Sequence, residues 1–233
     1  MTRTAARVIF VYLRILLYVE NLLKELFDLS HTAAREYLEK FGYPWEALTG
    51  LKSYIMRFGA TLDSREYVEV NHGIWAHKSA KIAPSASIAA PCIIGENTEV
   101  RHCAYIRGSA IIGKNCVIGN STEIKNSILF DGVQVPHFNY VGDSILGFRA
   151  HFGAGVITSN IKCDKSSISV GGVNTGLRKL GAIVGDCVEV GCNSVLNTGT
   201  VIGRNSVVYP LSFVRGVIPA DSIFKRGEII KRE

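Results

Sequence analysis

The groups with chemistry to offer in this 233-residue sequence are six histidines, six cysteines, and 26 Lys/Arg side chains against 20 Asp/Glu, for a net charge of +6. A neutral imidazole accepts a proton near physiological pH. A guanidinium beside an ammonium suits a phosphate or another anion. His137 stands in the run Val135-Pro-His-Phe-Asn-Tyr-Val-Gly-Asp143, and Arg107 and Lys125 lie eighteen residues apart. The positive charge fits sugar phosphates, coenzyme A, nucleic acid or a membrane surface alike. No Lys/Arg-rich run is interleaved with aromatics, so nucleic acid is the weak reading.

Cys92, Cys103, Cys116, Cys163, Cys187 and Cys192 form no CxxC pair and show no zinc-like Cys/His spacing. A structural zinc site is therefore not expected. The scatter of all six through a repeat, with Cys92 and Cys116 in phase with its small residues, predicts buried, reduced thiols in a cytoplasmic protein.

That repeat is what must position any site. Ile82, Ile88, Ile94, Val100, Ile106, Ile112, Ile118 and Ile124 recur every six residues, and the phase resumes at Val184, Val190, Leu196, Ile202, Val208 and Val214. Small residues follow four positions later (Ala86, Cys92, Thr98, Ala104, Ala110, Cys116, Thr122), and glycine follows directly at Gly95, Gly113, Gly119, Gly185, Gly191 and Gly203. Neither a helix nor a lone strand has period six. Short strands joined by tight turns do, with one aliphatic side chain per strand pointing into a prism and glycines tolerating the turn geometry. Three such faces make an eighteen-residue coil, and about seven coils are expected. Arg107 and Lys125, one coil apart, then sit directly above one another.

Residues 128 to 180 break the repeat, and Lys162 to Gly176 reads as an extruded loop or hairpin, a natural lid on a groove. Residues 1–60 read as a helical appendage, with 1–24 allowed to be loosely ordered. Ser30 is the expected cap of a helix through Ala33, Tyr37 and Phe41, and Pro44 opens another that stops at Gly59. The apolar stretch from Val8 to Val19 is too short to span a bilayer and carries Arg14 in its middle. A membrane-surface helix over residues 8–23 is the weaker reading beside a packed helix. Residues 61–224 are expected to be the β-helix and 225–233 a C-terminal tail.

The segment from Lys125 to Asn160, with Val135–Asp143, Phe152-Gly-Ala-Gly155 and Thr158-Ser-Asn160, resembles a known family. It is similar to the acetyltransferase domain of the bifunctional N-acetylglucosamine-1-phosphate uridyltransferase/glucosamine-1-phosphate acetyltransferase. Thr175-Gly-Leu-Arg-Lys-Leu-Gly-Ala182 and the run to Asn193 resemble related sugar-1-phosphate nucleotidylyltransferase/acetyltransferases. The resemblance spans residues 74 to 224 and implies a left-handed parallel β-helix, acetyl-CoA as co-substrate and a homotrimer with sites between subunits. No counterpart of the family's nucleotidyltransferase domain is expected. Carried over residue by residue, it implies His137 as general base and Arg107 and Lys125 as phosphate ligands. Tyr140, His151 and Asn160 become sugar-phosphate contacts, and Ala154, Lys179 and Cys192 contacts to coenzyme A. His151 stands where the family has Asn, and Cys192 replaces a small hydroxyl residue. The expected function is therefore acetyl-CoA-dependent N-acetylation of an amino-sugar phosphate, most directly glucosamine-1-phosphate. Two alternatives stay open. One is a non-catalytic scaffold or regulatory subunit for a separate nucleotidyltransferase. The other is a metalloenzyme resembling γ-class carbonic anhydrase, which needs three histidines on zinc and for which His137 and His151 lack a third partner in phase.

Overall fold

In the computed structural model, which describes residues 22–232, the period-six pattern builds the expected left-handed parallel β-helix, with about eight turns rather than seven. Each coil lays one short strand on each of three faces. The first face stacks Ile74–His77, Cys92–Ile94, Ala110–Ile112, Ser127–Leu129, Ile145–Leu146, Ala182–Val184, Thr200–Ile202 and Val217–Ile218. The second runs from Lys81–Ile82 to Ser222–Lys225 and includes Gln134–His137, His151–Phe152 and Glu189–Val190. The third runs from Ser87–Ile88 to Phe213–Val214 and includes Tyr105–Ile106, Glu123–Lys125, Tyr140–Gly142 and Ile157–Thr158.

The in-phase aliphatics fill the prism: Ile94, Val100, Ile106, Ile112, Ile118, Ile124 and their later counterparts are almost fully buried, with Thr98, Ala104, Cys116 and Thr122 at the tight corners. Gly95 and its phase-mates do not serve the turns as expected. The left-handed backbone positions belong mostly to other residues, among them Asn97, Asn115, Asn126, Phe138 and Asp143. Gly95 is required by stacking, since a Cβ there would lie 2.5 Å from the backbone of Gly113 in the next coil. Of the cysteines only Cys92 and Cys116 are buried, and burial pushes both thiols up to about 12. Cys103, Cys163, Cys187 and Cys192 are exposed, against expectation, because they fall on turns rather than in the inward phase.

The break in the repeat has a local cause. Cys92 pairs with Ala110 eighteen residues on, but Ala110 pairs with Ser127 and Ile128 with Ile145, each only seventeen apart. The lost residue comes out of the corner between the third and first faces, where Asn126 alone joins Glu123–Lys125 to Ser127–Leu129 and Asp143-Ser144 joins Tyr140–Gly142 to Ile145–Leu146. At the next coil the same corner expands: Ile145 pairs with Ile183, thirty-eight residues on. The insertion holds an antiparallel hairpin, Ser169–Val170 with Val173–Asn174, turning at Gly171-Gly172. The hairpin does not arch over a groove as a lid. It lies on the first face, where Ile168, Val170 and Leu180 are buried.

The helical segment covers the rest of that face. It comprises α1 (Leu22–Leu26), α2 (Arg35–Leu38) and α3 (Ala47–Gly59). Ser30 caps nothing: it lies inside a short 3-10 turn capped by Asp28, and α2 begins only at Arg35. Pro44 opens a 3-10 turn leading into α3, with Glu46 accepting the Tyr43 N–H at 3.0 Å. Leu22, Leu26, Trp45, Leu51 and Ile55 pack on the outward side chains Ile93, Ile111, Ile128, Ile145, Ile183 and Val201. Adjacent aliphatics such as Ile93-Ile94 thus serve two cores, one inside the prism and one outside. Each buried aliphatic contributes ~2 kcal/mol.

Both prism ends carry an antiparallel strand. Tyr67–Asn71 pairs with Ile74–His77, and Glu228–Lys231, expected as a tail, folds back on Ser222–Lys225. Such caps satisfy sheet edges that otherwise invite association. The readings of residues 1–21, including most of the 8–23 stretch, lie outside the described residues. Among the described residues, no helix is long and apolar enough to cross a membrane.

Candidate active site

The third face places most of the expected site residues along its two edges. At the edge leading to the first face, Arg107 and Lys125 follow the inward Ile106 and Ile124, and the Arg107 N–H donates to the Ile124 carbonyl at 2.8 Å. The two cations are stacked, yet neither is bare. Arg107 Nη1 lies 2.8 Å from Glu123 Oε1, a bond that holds the guanidinium's pKa above its ordinary value. Lys125 Nζ lies 2.9 Å from Asp143 Oδ2. Asn160 Nδ2 donates to Asp143 Oδ2 at 2.6 Å and to Tyr140 Oη at 3.1 Å, while Asn126 Nδ2 donates to Asp143 Oδ1 at 2.8 Å. Burial first, then the negative charge of Asp143 and Glu123, raises the Tyr140 phenol.

Lys125, Tyr140 and Asn160 therefore meet around one carboxylate that sequence reasoning left without a role. Asp143 closes the run from Val135, and its corner is where the coil loses a residue. Both are readable signals, but neither says that the carboxylate turns inward to meet Lys125. Glu123 and Asn126 were missed as well; they flank Ile124 and Lys125 and carry no motif of their own.

At the opposite edge, His137, Ala154 and Cys192 occupy one corner in consecutive coils. The Gly155 N–H donates to the His137 carbonyl at 3.0 Å, and the Asn193 N–H to the Ala154 carbonyl at 2.8 Å. Asn139 ties this corner: its Oδ1 accepts the His137 N–H at 3.1 Å and its Nδ2 donates to the Gly153 carbonyl at 2.8 Å. A Cβ on Gly153 would lie 2.7 Å from the Cys192 nitrogen, so glycine permits the close stacking. The His137 side chain is exposed and makes no hydrogen bond among the described residues.

Two residues stand apart from these groupings. Lys179 is exposed beside Leu180, whose N–H donates to the Asn160 carbonyl at 3.0 Å. It belongs to the Asp143 edge and not to the corner of Ala154 and Cys192. His151 projects from the second face, its Nδ1 2.6 Å from Glu189 Oε2. Among the described residues no group of three or more His, Cys, Asp and Glu side chains could hold a metal ion, so the carbonic-anhydrase-like alternative finds no ligand set there.

Comparison with known proteins agrees with the reading of the motifs. Over 200 residues the chain is 32% identical to a protein of Methanococcus maripaludis named bifunctional protein GlmU, covering 83% of this chain and 49% of that protein. It is 33% identical over 103 residues to a bifunctional sugar-1-phosphate nucleotidylyltransferase/acetyltransferase of Sulfurisphaera tokodaii, covering 42% and 26% of the two chains. The chain spans about half the length of the curated relatives that it matches along most of its own length. Among solved structures, the polySia-specific acetyltransferase NeuO aligns at 16% identity and TM-score 0.41, covering 66% of this chain and 80% of that one. Residues 88–209, more than half of the chain and the stretch that holds His137 and Asp143, match the GMPPB C-terminal domain, and the chain belongs to that family.

Proposed function

We propose that this protein transfers an acetyl group from acetyl-CoA to the amine of an amino-sugar phosphate, with glucosamine-1-phosphate the first substrate to test. The observation that carries the reading is the division of labour across the third face. One edge gathers Arg107, Lys125, Tyr140 and Asn160, suited to a phosphate and its sugar. The other aligns His137 with the backbone of Ala154 and with Cys192. Tyr140 opens the strand Tyr140–Gly142 just past the corner that ends at His137, so a substrate lying along that strand meets both edges. An amino-sugar phosphate with its acyl donor spans such a face.

In this mechanism His137 accepts the proton that the amine loses as its nitrogen attacks the thioester carbonyl. The Ala154 N–H faces the developing oxyanion. The tetrahedral intermediate collapses with rupture of the C–S bond, and the departing sulfur takes up the proton as the free thiol. The relatives' names include acetyltransferase, which supports this reaction class.

A homotrimer fits the same surface. The first face is covered by the chain's own helices and hairpin, and the outward positions of the second, such as Lys81, Glu99, Gln134, His151 and Glu189, are mostly polar. The third face and its flanking turns instead expose Tyr105, Phe138, Ile157, Leu211 and Phe213, the last two by 80% and 64%. Apolar side chains in such a row are characteristic of an interface. A neighbouring copy there supplies the wall that an open face lacks.

One observation favours the scaffold reading: among the described residues the His137 ring has no orienting partner, unlike the usual activated base. Coenzyme A release measured against a panel of amino-sugar phosphates tests acetyl transfer. A chain that releases no coenzyme A with any of them, and is not stabilised by coenzyme A in a thermal shift, is a scaffold.

A further inference from the structure

The C-terminal end of the prism differs from the rest of the second face in both polarity and charge. Along the outward row of that face, Gln134, His151 and Glu189 give way to Val207, Ile223 and Ile230 in the last three strands. Val207 and Ile223 are half-buried, while Ile229 and Ile230 are 50% and 48% exposed. Ile229 pairs in register with the inward Phe224, so it lies over the end of the prism and not on its side. Both isoleucines belong to the terminal hairpin, Ser222–Lys225 with Glu228–Lys231, which turns at Arg226-Gly227. The same stretch carries Lys225, Arg226, Lys231 and Arg232, with Glu228 as its one acid. Residues 204–232 hold six Lys/Arg against two Asp/Glu, whereas residues 61–100, at the opposite end, hold three against five.

The hairpin is tied to the last coils. The Arg232 N–H donates to the Asp221 carbonyl and its Nη1 to the Asn205 carbonyl, each at 2.7 Å, and Lys225 Nζ lies 4.6 Å over the Tyr209 ring. Exposed isoleucines among cations match a surface that is anionic outside and apolar just beneath. RNA would engage the cations and leave the isoleucines in water. A second copy would set like charges against each other. The sequence before Leu22 repeats the combination, with Val8 to Val19 apolar around Arg14 and following Arg3 and Arg7. The described chain also begins near this end. The Leu26 carbonyl accepts from the Asp186 N–H, and the His31 carbonyl from the Asp131 N–H two coils earlier. The chain therefore runs from the half of the prism that ends in the hairpin toward the other.

We propose that the C-terminal end of the β-helix docks on an anionic lipid surface. Ile229 and Ile230 enter the headgroup layer, and Arg226, Lys231 and the neighbouring cations face the lipid phosphates. Such a surface recognises charge over an apolar layer and no one headgroup. The third face runs along the prism axis, so docking by the end leaves the acetyl-transfer edges clear, and the two readings fail separately.

Co-sedimentation of the full chain with phosphatidylcholine vesicles, with and without phosphatidylglycerol, tests the docking. Wild type is compared with the double variants Arg226→Glu/Lys231→Glu and Ile229→Ser/Ile230→Ser. All four side chains are exposed, and circular dichroism verifies that each variant is folded. Wild type is expected to bind the anionic vesicles about tenfold or more tighter than the neutral ones, and to lose that preference in high salt. Each double variant is expected to weaken binding to the anionic vesicles by about tenfold or more. No binding by wild type, or equal binding to both kinds of vesicle, overturns the proposal. Unchanged binding in either folded double variant removes the hairpin from the contact and overturns it as well. Poly-uridine RNA bound as tightly as the anionic vesicles overturns the choice of lipid over nucleic acid.

Discussion

Lys125 Nζ sits 2.9 and 3.2 Å from the two carboxylate oxygens of Asp143, with the lysine side chain 24% and the aspartate side chain 5% exposed. Asn126 and Asn160 hold the same carboxylate from either side. The ammonium is thereby fixed in place rather than swinging on a flexible stem, and a phosphate arriving at this corner meets a donor already oriented.

Asp143→Ala removes the acceptor for three donors, leaving Lys125 and the Asn126 amide without it and Asn160 with only Tyr140. Breaking such a partly buried pair is expected to cost about 2–4 kcal/mol, read as a lowered midpoint of chemical denaturation. Lys125→Ala and Arg107→Ala are expected to raise the KM for the sugar phosphate with little change in kcat, because the phosphate is held equally in ground and transition states. Binding in either variant is also expected to be less sensitive to salt. A fall in kcat without a rise in KM would remove both residues from phosphate binding.

His137→Ala is expected to lower turnover by ~100-fold or more with the circular dichroism spectrum unchanged, since the ring is exposed and packs no core. Its role differs from that of Lys125 in that the proton it takes moves during the reaction. Near-normal turnover in the variant would return the residue to a structural part at its corner.

Asp131 and Asp186 anchor the helical segment to the corner between the first and second faces. The Asp131 N–H donates to the His31 carbonyl, and Asp186 accepts the N–H groups of Asp28 and Phe148 at 2.7 and 2.8 Å. Burial, the dominant cause, raises both carboxyl pKa values above the ordinary 3.8 despite these donors. A raised native pKa means that the folded state binds more protons than the unfolded chain between the two values, so stability falls as pH rises through that window and recovers as pH drops. Both groups therefore oppose acid unfolding. Asp131→Asn and Asp186→Asn should each show a steeper loss of stability from pH 6 to pH 4 than wild type in parallel denaturant titrations. A shallower slope in both would contradict the sign.

The inward core was legible because one constraint, a prism three strands around, repeats fourteen times in the phase of Ile82 to Ile124 and Val184 to Val214. The second core was not, although Ile93, Ile111, Ile128, Ile145, Ile183 and Val201 stand beside inward residues in the same strings. An outward aliphatic looks the same in sequence whether helices cover it or water does. The candidate site was legible as residues through the resemblance of Val135–Asp143, but its grouping was not. Which face His151 projects from depends on coils of seventeen residues, and the partner it finds there, Glu189, lies thirty-eight positions on, beyond the hairpin insertion.

That covered face can be weighed directly. Leu51 on α3 is fully buried against the outward aliphatics. Leu51→Ala is expected to cost about 2–5 kcal/mol, seen in thermal or chemical unfolding. A loss below ~1 kcal/mol would mean that the helices rest on the β-helix without stabilising it.

Leu211 and Phe213 set the opposite case. They are 80% and 64% exposed at the last coil of the third face, so in an isolated chain Leu211→Glu and Phe213→Glu should each change stability by less than ~0.5 kcal/mol. If a second copy covers that face, the same changes bury a carboxylate against apolar surface, at a cost of several kcal/mol per ion. Light scattering on wild type and on the Leu211→Glu/Phe213→Glu double variant separates the cases. The expected result is an assembly for wild type, a smaller species for the variant, and reduced coenzyme A release in proportion, because the open face loses its wall. A wild type that is already monomeric and fully active would remove the neighbouring copy from the mechanism, while leaving the roles proposed for His137 and Lys125 to their own tests.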